Sequence, residues 1–109
     1  EGVPQDPEKG VYWWEQAANQ EIAEAQFNLG VVYSNGEVVP QDPKKAVYWW
    51  EQAAKQGYAS AQYNLGVGYY YGELMPKDKS KAKYWINEAH ESGSSEAKEF
   101  WEEHKLSQY

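Results

Sequence analysis

The strongest constraint on the fold of this chain is an internal repeat of 36 residues. The octet VYWWEQAA begins at Val11 and again at Val47. A weaker copy, AKYWINEA, starts at Ala82, which lies 36 residues after Ala46 and so keeps the same register. Residues 4–18 and 40–54 are identical at 13 of 15 positions. A fixed period of this length is typical of stacked structural repeats, in which each unit buries its apolar face against its neighbours. The whole chain, 1–109, is therefore predicted to form a single repeat domain.

The first helical pattern of the repeat is clearest in the segment QDPKKAVYWWEQAAKQG. Asp42 is placed to cap the helix and is followed directly by a proline, a residue favoured in the first helical turn. Ala46, Trp50 and Ala53 recur on one helical face. Gly57 is placed for the left-handed residue that ends many helices. We predict a helix here, with its adjacent tryptophans pointing about 100° apart so that each fills a different joint of the stack.

The second helical pattern runs through ASAQYNLGVGYYYG. Ala61, Leu65 and Tyr69 form one apolar stripe, and a second stripe begins at Tyr63 and continues through Val67. A helix with two stripes packs on two sides, or packs on one and presents the other to a partner. Gly66 is predicted to let a neighbouring helix approach closely.

Short Pro-x-Asp connectors join the two patterns, so each repeat is predicted to be an antiparallel helix hairpin. The predicted fold is an all-α solenoid of about six helices. The predicted units are an outer helix alone in about 1–20, hairpins in about 23–57 and 59–93, and a C-terminal capping helix in about 95–106.

Composition narrows the classes of partner. The net charge of −7 argues against a nucleic-acid partner, whose phosphates require a basic surface. No apolar run approaches the roughly 18 residues of a membrane span, so no membrane insertion is expected. The absence of cysteine excludes disulfides, thiolate metal sites and a cysteine nucleophile.

Catalytic and metal-binding patterns are missing from the sequence. His90 and His104 are the only histidines and lack metal-ligand spacing, and no phosphate-binding loop or nucleophile motif is present. We therefore expect no enzyme activity, no catalytic residue, no cofactor and no metal site. Glu15 and Glu51 occupy equivalent repeat positions and are interpreted as solvated helix surface.

The motif A-x-A-Q-[FY]-N-L-G-x-x-Y-x-x-G, followed by V-P-x-D-x-x-K-A-x-x-W-[WY]-x-x-A-A-x-Q-G, resembles the Sel-one-like repeat (SLR) family, a relative of the tetratricopeptide repeats. The resemblance covers nearly the whole chain. It implies a right-handed α-solenoid in which the first helix of each hairpin lines a concave surface and the second lies outside. It also implies a bacterial adaptor that binds protein or peptide, in the periplasm, on the envelope or after secretion.

We expect the partner to contact the second stripe of the inner helices and the asparagine beside it. The competing interpretation is that these side chains are buried within the stack, or that Asn28 and Asn64 bond to a neighbouring helix. The candidate binding residues are Phe27, Asn28, Val31, Tyr63, Asn64, Val67, Tyr70 and Tyr71.

Two other functions remain open at this point. Trp13 and Trp14 match Trp49 and Trp50, so an exposed apolar side of the first helix would allow self-association of a structural module. An aromatic groove would also suit carbohydrate or cell-wall binding, because sugar rings stack on tyrosine and tryptophan.

Overall fold

The computed structural model describes residues 7–109, with side chains from Lys9 onward. This range contains six α-helices, a short 3-10 helix at Leu106–Gln108 and no strand, which confirms the predicted all-α solenoid. Within it, no helix is both long and apolar enough to cross a membrane. The α-helices are α1 Pro7–Asn19, α2 Ala23–Asn35, α3 Pro43–Lys55, α4 Ala59–Tyr71, α5 Lys79–Glu91 and α6 Ser95–Glu103.

The helix ends follow the capping chemistry of the sequence. The side chain of Asp42 accepts a hydrogen bond from the N–H of Lys45 at 3.2 Å, and Asp78 does the same for Lys81 at 3.0 Å. Gly57 adopts the left-handed conformation predicted for it, with φ of 84°. These local signals define where α3 and α5 begin and where α3 ends, independently of packing.

Successive helices pack against one another along the chain, and the connectors are held to the helices that precede them. The backbone N–H of Asp42 donates to the carbonyl of Tyr33 at 2.9 Å, and that of Asp78 donates to Tyr69 at the same distance. The capping residues of α3 and α5 are thereby tied to α2 and α4, the helices that precede them. The result is an elongated stack of 46 × 25 × 22 Å.

Three apolar clusters form the core, one for each joint of the stack. Leu29, Leu65 and Ile86 are fully buried, one in each cluster. A Cβ on Gly66 would overlap the side chain of Ile86 and lie 3.1 Å from its backbone nitrogen. This close contact confirms the prediction that Gly66 admits a neighbouring helix.

The adjacent tryptophans of α3 serve different joints, as predicted. Trp50 is buried in the cluster around Leu65 and lies against Gly30 of α2, whereas half-buried Trp49 packs on the cluster around Leu29. In α1 the counterpart of Trp49, Trp13, is 65% exposed.

Candidate functional site

A groove of about 320 Å³ lies between the inner helices α2 and α4. Trp50 of α3 also borders it, and the connector after α4 closes one end. We call this cavity the α2–α4 groove. Its lining residues are Val31, Ser34, Trp50, Tyr63, Asn64, Val67, Gly68, Glu73 and Leu74.

The groove brings together four of the eight predicted binding residues. Val31 comes from α2, and Tyr63, Asn64 and Val67 come from two turns of α4. Because Asn64 and Val67 are three residues apart, they lie on the same face of the helix.

The apolar members of this set also contribute to the stack. Val31 is half-buried and packs against the cluster around Leu65, while Tyr63 and Val67 pack against the cluster around Ile86. The ring of Tyr63 makes an edge contact with Phe100 at 6.1 Å between centroids. These side chains therefore pack within the stack and also line the groove, and their contact with a partner stays a prediction.

Phe27 and Asn28 lie on α2 outside the lining of this groove. Phe27 is half-buried, and its ring lies 5.4 Å from that of Tyr58. Asn28 is half-buried as well.

Tyr70 and Tyr71 belong to a separate aromatic cluster where α4 meets the C-terminal segment. The Tyr70 ring lies 5.4 Å from Phe100 and 4.9 Å from His104. The Tyr71 hydroxyl is 3.0 Å from His104 Nε2. The Nζ of Lys79 lies 4.7 Å from the Tyr70 ring centroid, a cation–π contact. These two tyrosines pack against the last helix and are absent from the groove lining.

The α2–α4 groove has few polar side chains, and its charge is negative. Among the described residues that line it, only Glu73 is charged. Burial, followed by the charge of Glu96, raises the pKa of Tyr63, so its hydroxyl is neutral at physiological pH. Ser34 donates its hydroxyl proton to the Val31 carbonyl at 2.8 Å. The groove therefore offers apolar surface, one amide and one carboxylate.

Trp50 brings a buried polar group to the wall of the groove. Its indole Nε1 is buried and has no hydrogen-bond partner among the described residues. A buried donor left unpaired costs about 1–3 kcal/mol. The close contact of this indole with Gly30 of α2 is thus kept at some expense in stability.

Sequence reasoning missed five groove residues, which are Ser34, Trp50, Gly68, Glu73 and Leu74. Glu73 and Leu74 lie in the connector after α4, and helical periodicity carries no information about where a connector folds back. The sequence did contain one indication, because Glu37 and Glu73 occupy the same position of the 36-residue repeat. Within residues 7–109, no cluster of three or more potential metal ligands is present.

The geometry of stacked hairpins agrees with comparisons to known proteins. A family model described as the Sel1 repeat matches residues 1–21, 23–58 and 59–94. The chain belongs to the Sel1 repeat family. Its three matched segments follow the period of 36 residues seen in the sequence. No curated protein gave a significant match.

Solved structures of Sel1 repeat proteins superpose closely on this chain. A Sel1 repeat protein from Oxalobacter formigenes is 33% identical over 85% of this chain, with a TM-score of 0.79. The protein c5321, a protective antigen present in uropathogenic Escherichia coli strains, is 38% identical over 89%, with a TM-score of 0.82. This chain spans 38% of the former and 21% of the latter.

A third relative supports the fold alone. Cysteine-rich protein B of Helicobacter pylori is 24% identical over 85% of this chain and 70% of its own, with a TM-score of 0.82. The present chain contains no cysteine, so its repeats reach the same fold without disulfides.

Proposed function

We propose that this Sel1 repeat chain is a protein-interaction scaffold without catalytic activity that binds a peptide segment in the α2–α4 groove. The observation that carries the proposal is the convergence of Val31, Tyr63, Asn64 and Val67 on one cavity of about 320 Å³. Ligand sites are typically concave, largely apolar and supplied with a few polar groups. The membership of the family supports an interaction scaffold rather than an enzyme.

The lining suggests the chemistry of the peptide. Val31, Val67 and Leu74 would contact an apolar side chain, and the amide of Asn64 has both a donor and an acceptor for a peptide backbone. Glu73, at one end, would attract a lysine or arginine of the ligand. The net charge of −7 also favours a basic partner. The proposed ligand therefore combines an apolar anchor with a neighbouring cation.

Selection of random linear peptides on the wild-type chain tests this proposal. Enriched peptides should share an apolar residue next to lysine or arginine. Asn64→Ala should weaken their binding about tenfold, on the scale of a central interface contact. Glu73→Lys should weaken it as well, through charge repulsion. Dissociation constants from fluorescence polarisation provide the measurement.

The repeat supplies matched controls for both substitutions. Asn28 and Glu37 are the counterparts of Asn64 and Glu73 one repeat earlier, and neither lines the groove. Asn28→Ala and Glu37→Lys should leave the affinity unchanged. Equal losses in the two sets, or no loss in either, would place the peptide elsewhere and refute the proposal.

Self-association through α1 is a second candidate, supported by the exposure of its aromatic residues. Tyr12 is 53% exposed and Trp13 is 65% exposed, and their rings form an edge contact at 5.2 Å. Residues 1–36 carry six acidic side chains and one lysine, which opposes pairing of like ends. Association should therefore strengthen with salt and disappear in Trp13→Glu. Sedimentation velocity at low and high salt would detect it, and a monomer in both conditions would exclude it.

For location we propose the bacterial periplasm, envelope or exterior, an inference supported by the E. coli relative that is a protective antigen. Fractionation of the source cell with an antibody to this chain is the test. Recovery in the cytosolic fraction alone would contradict it.

A further inference from the structure

A second cavity system lies between the helices α1 and α3. Two adjoining cavities of about 320 and 370 Å³ share Asn19, Tyr48 and Trp49. We call them together the α1–α3 cleft. Each cavity has the volume of roughly 300 Å³ or more that small-molecule sites occupy. The cleft contains none of the residues that line the α2–α4 groove.

Carboxamides and one aromatic pair dominate the chemistry of this cleft. Gln16 and Asn19 come from α1, Gln52 comes from α3, and Gln56 directly follows α3. Each amide carries donors and an acceptor, and of these Gln56 already donates one N–H to Gln26 at 2.9 Å. The aromatic pair is Tyr48, which is 52% exposed, and half-buried Trp49, in edge contact at 4.9 Å between centroids.

The cleft has equal numbers of acidic and basic side chains, and one of each already contacts Tyr33. Glu15 accepts a hydrogen bond from the Tyr33 hydroxyl at 2.9 Å, and the Nζ of Lys45 lies 5.1 Å from the Tyr33 ring centroid. Glu21 and Lys55 complete two acidic and two basic side chains. An ionic ligand of either sign would gain little net attraction here.

The next repeat provides an internal comparison. Moving along the sequence by 36 residues keeps the aromatic pair as Tyr84 and Trp85, with the same edge geometry at 4.9 Å. Three of the four amides change, since Asn19 becomes Lys55, Gln52 becomes Glu88 and Gln56 becomes Ser92, whereas Gln16 is matched by another glutamine. The aromatic pair is thus a general feature of the repeat, whereas the amide set belongs to the α1–α3 cleft.

We propose that the α1–α3 cleft binds a neutral oligosaccharide. Vicinal sugar hydroxyls are donors and acceptors at once, and they match the paired donor and acceptor groups of carboxamides. The apolar face of a sugar ring would stack on the Tyr48–Trp49 pair, which presents aromatic surface at the mouth of the cleft. The absence of net charge selects an uncharged saccharide over an acidic one. This site is independent of peptide binding in the α2–α4 groove.

The test is a nuclear magnetic resonance titration of the isotope-labelled chain with cellohexaose, maltohexaose and chitohexaose, and with hexagalacturonate as the anionic comparison. At least one neutral hexasaccharide should shift the amide signals of α1 and α3. Tyr48→Ala should weaken that binding about tenfold or more, the loss of a central aromatic contact. The matched variant Tyr84→Ala, equally exposed in α5, should leave it unchanged.

A second variant tests the amides without relying on the aromatic pair. Gln52→Glu combined with Gln56→Ser installs the residues that the next repeat carries at these positions. The variant loses the hydrogen bond from Gln56 to Gln26, so it should be less stable than the wild type but still folded. Circular dichroism should remain native while saccharide binding is lost. Three results would each overturn the proposal: no response to all three neutral saccharides at millimolar concentration, equal losses in Tyr48→Ala and Tyr84→Ala, or a groove-selected peptide that shifts the cleft instead.

Discussion

Gln26 and Gln62 are equivalent buried residues, yet only one of them has a partner at both ends of its amide. Each donates from Nε2 to a carbonyl of the preceding outer helix, Gln26 to Ala18 at 3.1 Å and Gln62 to Ala54 at 3.0 Å. The Oε1 of Gln26 accepts from Gln56 at 2.9 Å, whereas the Oε1 of Gln62 is buried without a partner among the described residues. The counterpart of Gln56 is Ser92, which is too short to reach it.

Ser92→Gln should supply that partner and raise the free energy of unfolding by about 1 kcal/mol. Gln56 and Ser92 have nearly the same backbone conformation, with φ and ψ of −88° and 5° against −84° and 1°. The glutamine side chain can therefore take the same course in both repeats. Urea denaturation provides the measurement. Gln56→Ser is the mirror control and should destabilise by a similar amount; a neutral effect of both changes would contradict the pairing.

Glu21 is held in a backbone conformation that favours glycine. Its φ is 63°, and the equivalent positions in the next two repeats are Gly57 and Gly93. Glu21→Gly should stabilise the chain by about 1 kcal/mol, because the left-handed region costs an ordinary residue roughly that much. Thermal denaturation provides the measurement. Gly57→Glu should show the opposite change, since a Cβ on Gly57 would meet no atom within 4 Å and the effect is conformational alone.

The Tyr33 hydroxyl should make the free energy of unfolding depend on pH in the alkaline range. Burial, then the hydrogen bond and charge of Glu15, raise its pKa from 10.0 to about 12. The native state therefore favours the protonated hydroxyl, and this stabilisation is complete below pH 10 and lost as pH rises through about 12. Absorbance titration and unfolding curves from pH 9 to about 12 test this. Tyr33→Phe should reduce the alkaline loss of stability; an unchanged pH dependence would contradict it.

At the scale of the helices, a glycine is needed for close packing only where it faces a rigid neighbour. A Cβ on Gly30 would overlap the Trp50 indole, whereas one on Gly68 would meet only the flexible end of Met75. Gly30→Ala should cost about 1–3 kcal/mol, and Gly68→Ala should cost little. Urea denaturation of the two variants is the measurement. Equal stabilities would show that the indole can move aside and that the joint is loosely packed.

Helix bounds and the core stripes were predictable because they depend on local chemistry. Asp42 caps the start of α3 and Gly57 follows its end through local backbone chemistry. The spacing of Ala61, Leu65 and Tyr69 defines one face without reference to any other element. The interpretation of Glu15 and Glu51 as solvated surface was wrong, because both are half-buried and accept hydrogen bonds from Tyr33 and Tyr69. Each of these hydrogen bonds joins two residues 18 positions apart on different helices. Helical periodicity describes one helix at a time and cannot predict such a contact.

The candidate site was predictable only in part, because helical periodicity does not predict contacts between helices. Val31, Tyr63, Asn64 and Val67 follow from their stripe, and they do line one groove. Tyr70 continues that stripe in sequence, but α6 covers the end of α4 and takes it into the cluster with Phe100 and His104. A sequence period describes faces of single helices, and the place where the stack turns or ends depends on tertiary packing.

At the scale of the molecule, the two surfaces proposed for ligands share no residue within the part of the chain that the structure describes. The α2–α4 groove is apolar with a single carboxylate, and the α1–α3 cleft is rich in amides and balanced in charge. Because the units repeat, individual residues of each surface have counterparts one repeat away, such as Asn28 for Asn64 and Tyr84 for Tyr48. The chain therefore carries its own matched controls for both binding proposals.

Chemical-shift mapping with a selected peptide tests the central claim, that the α2–α4 groove is the protein-binding surface. The peptide would be titrated into isotope-labelled chain while the backbone amide signals are followed. We predict the largest shifts at Val31, Asn64, Val67 and Glu73, with the signal of Asn28 little changed. Shifts confined to α1 and α3, or equal shifts at Asn28 and Asn64, would contradict the account.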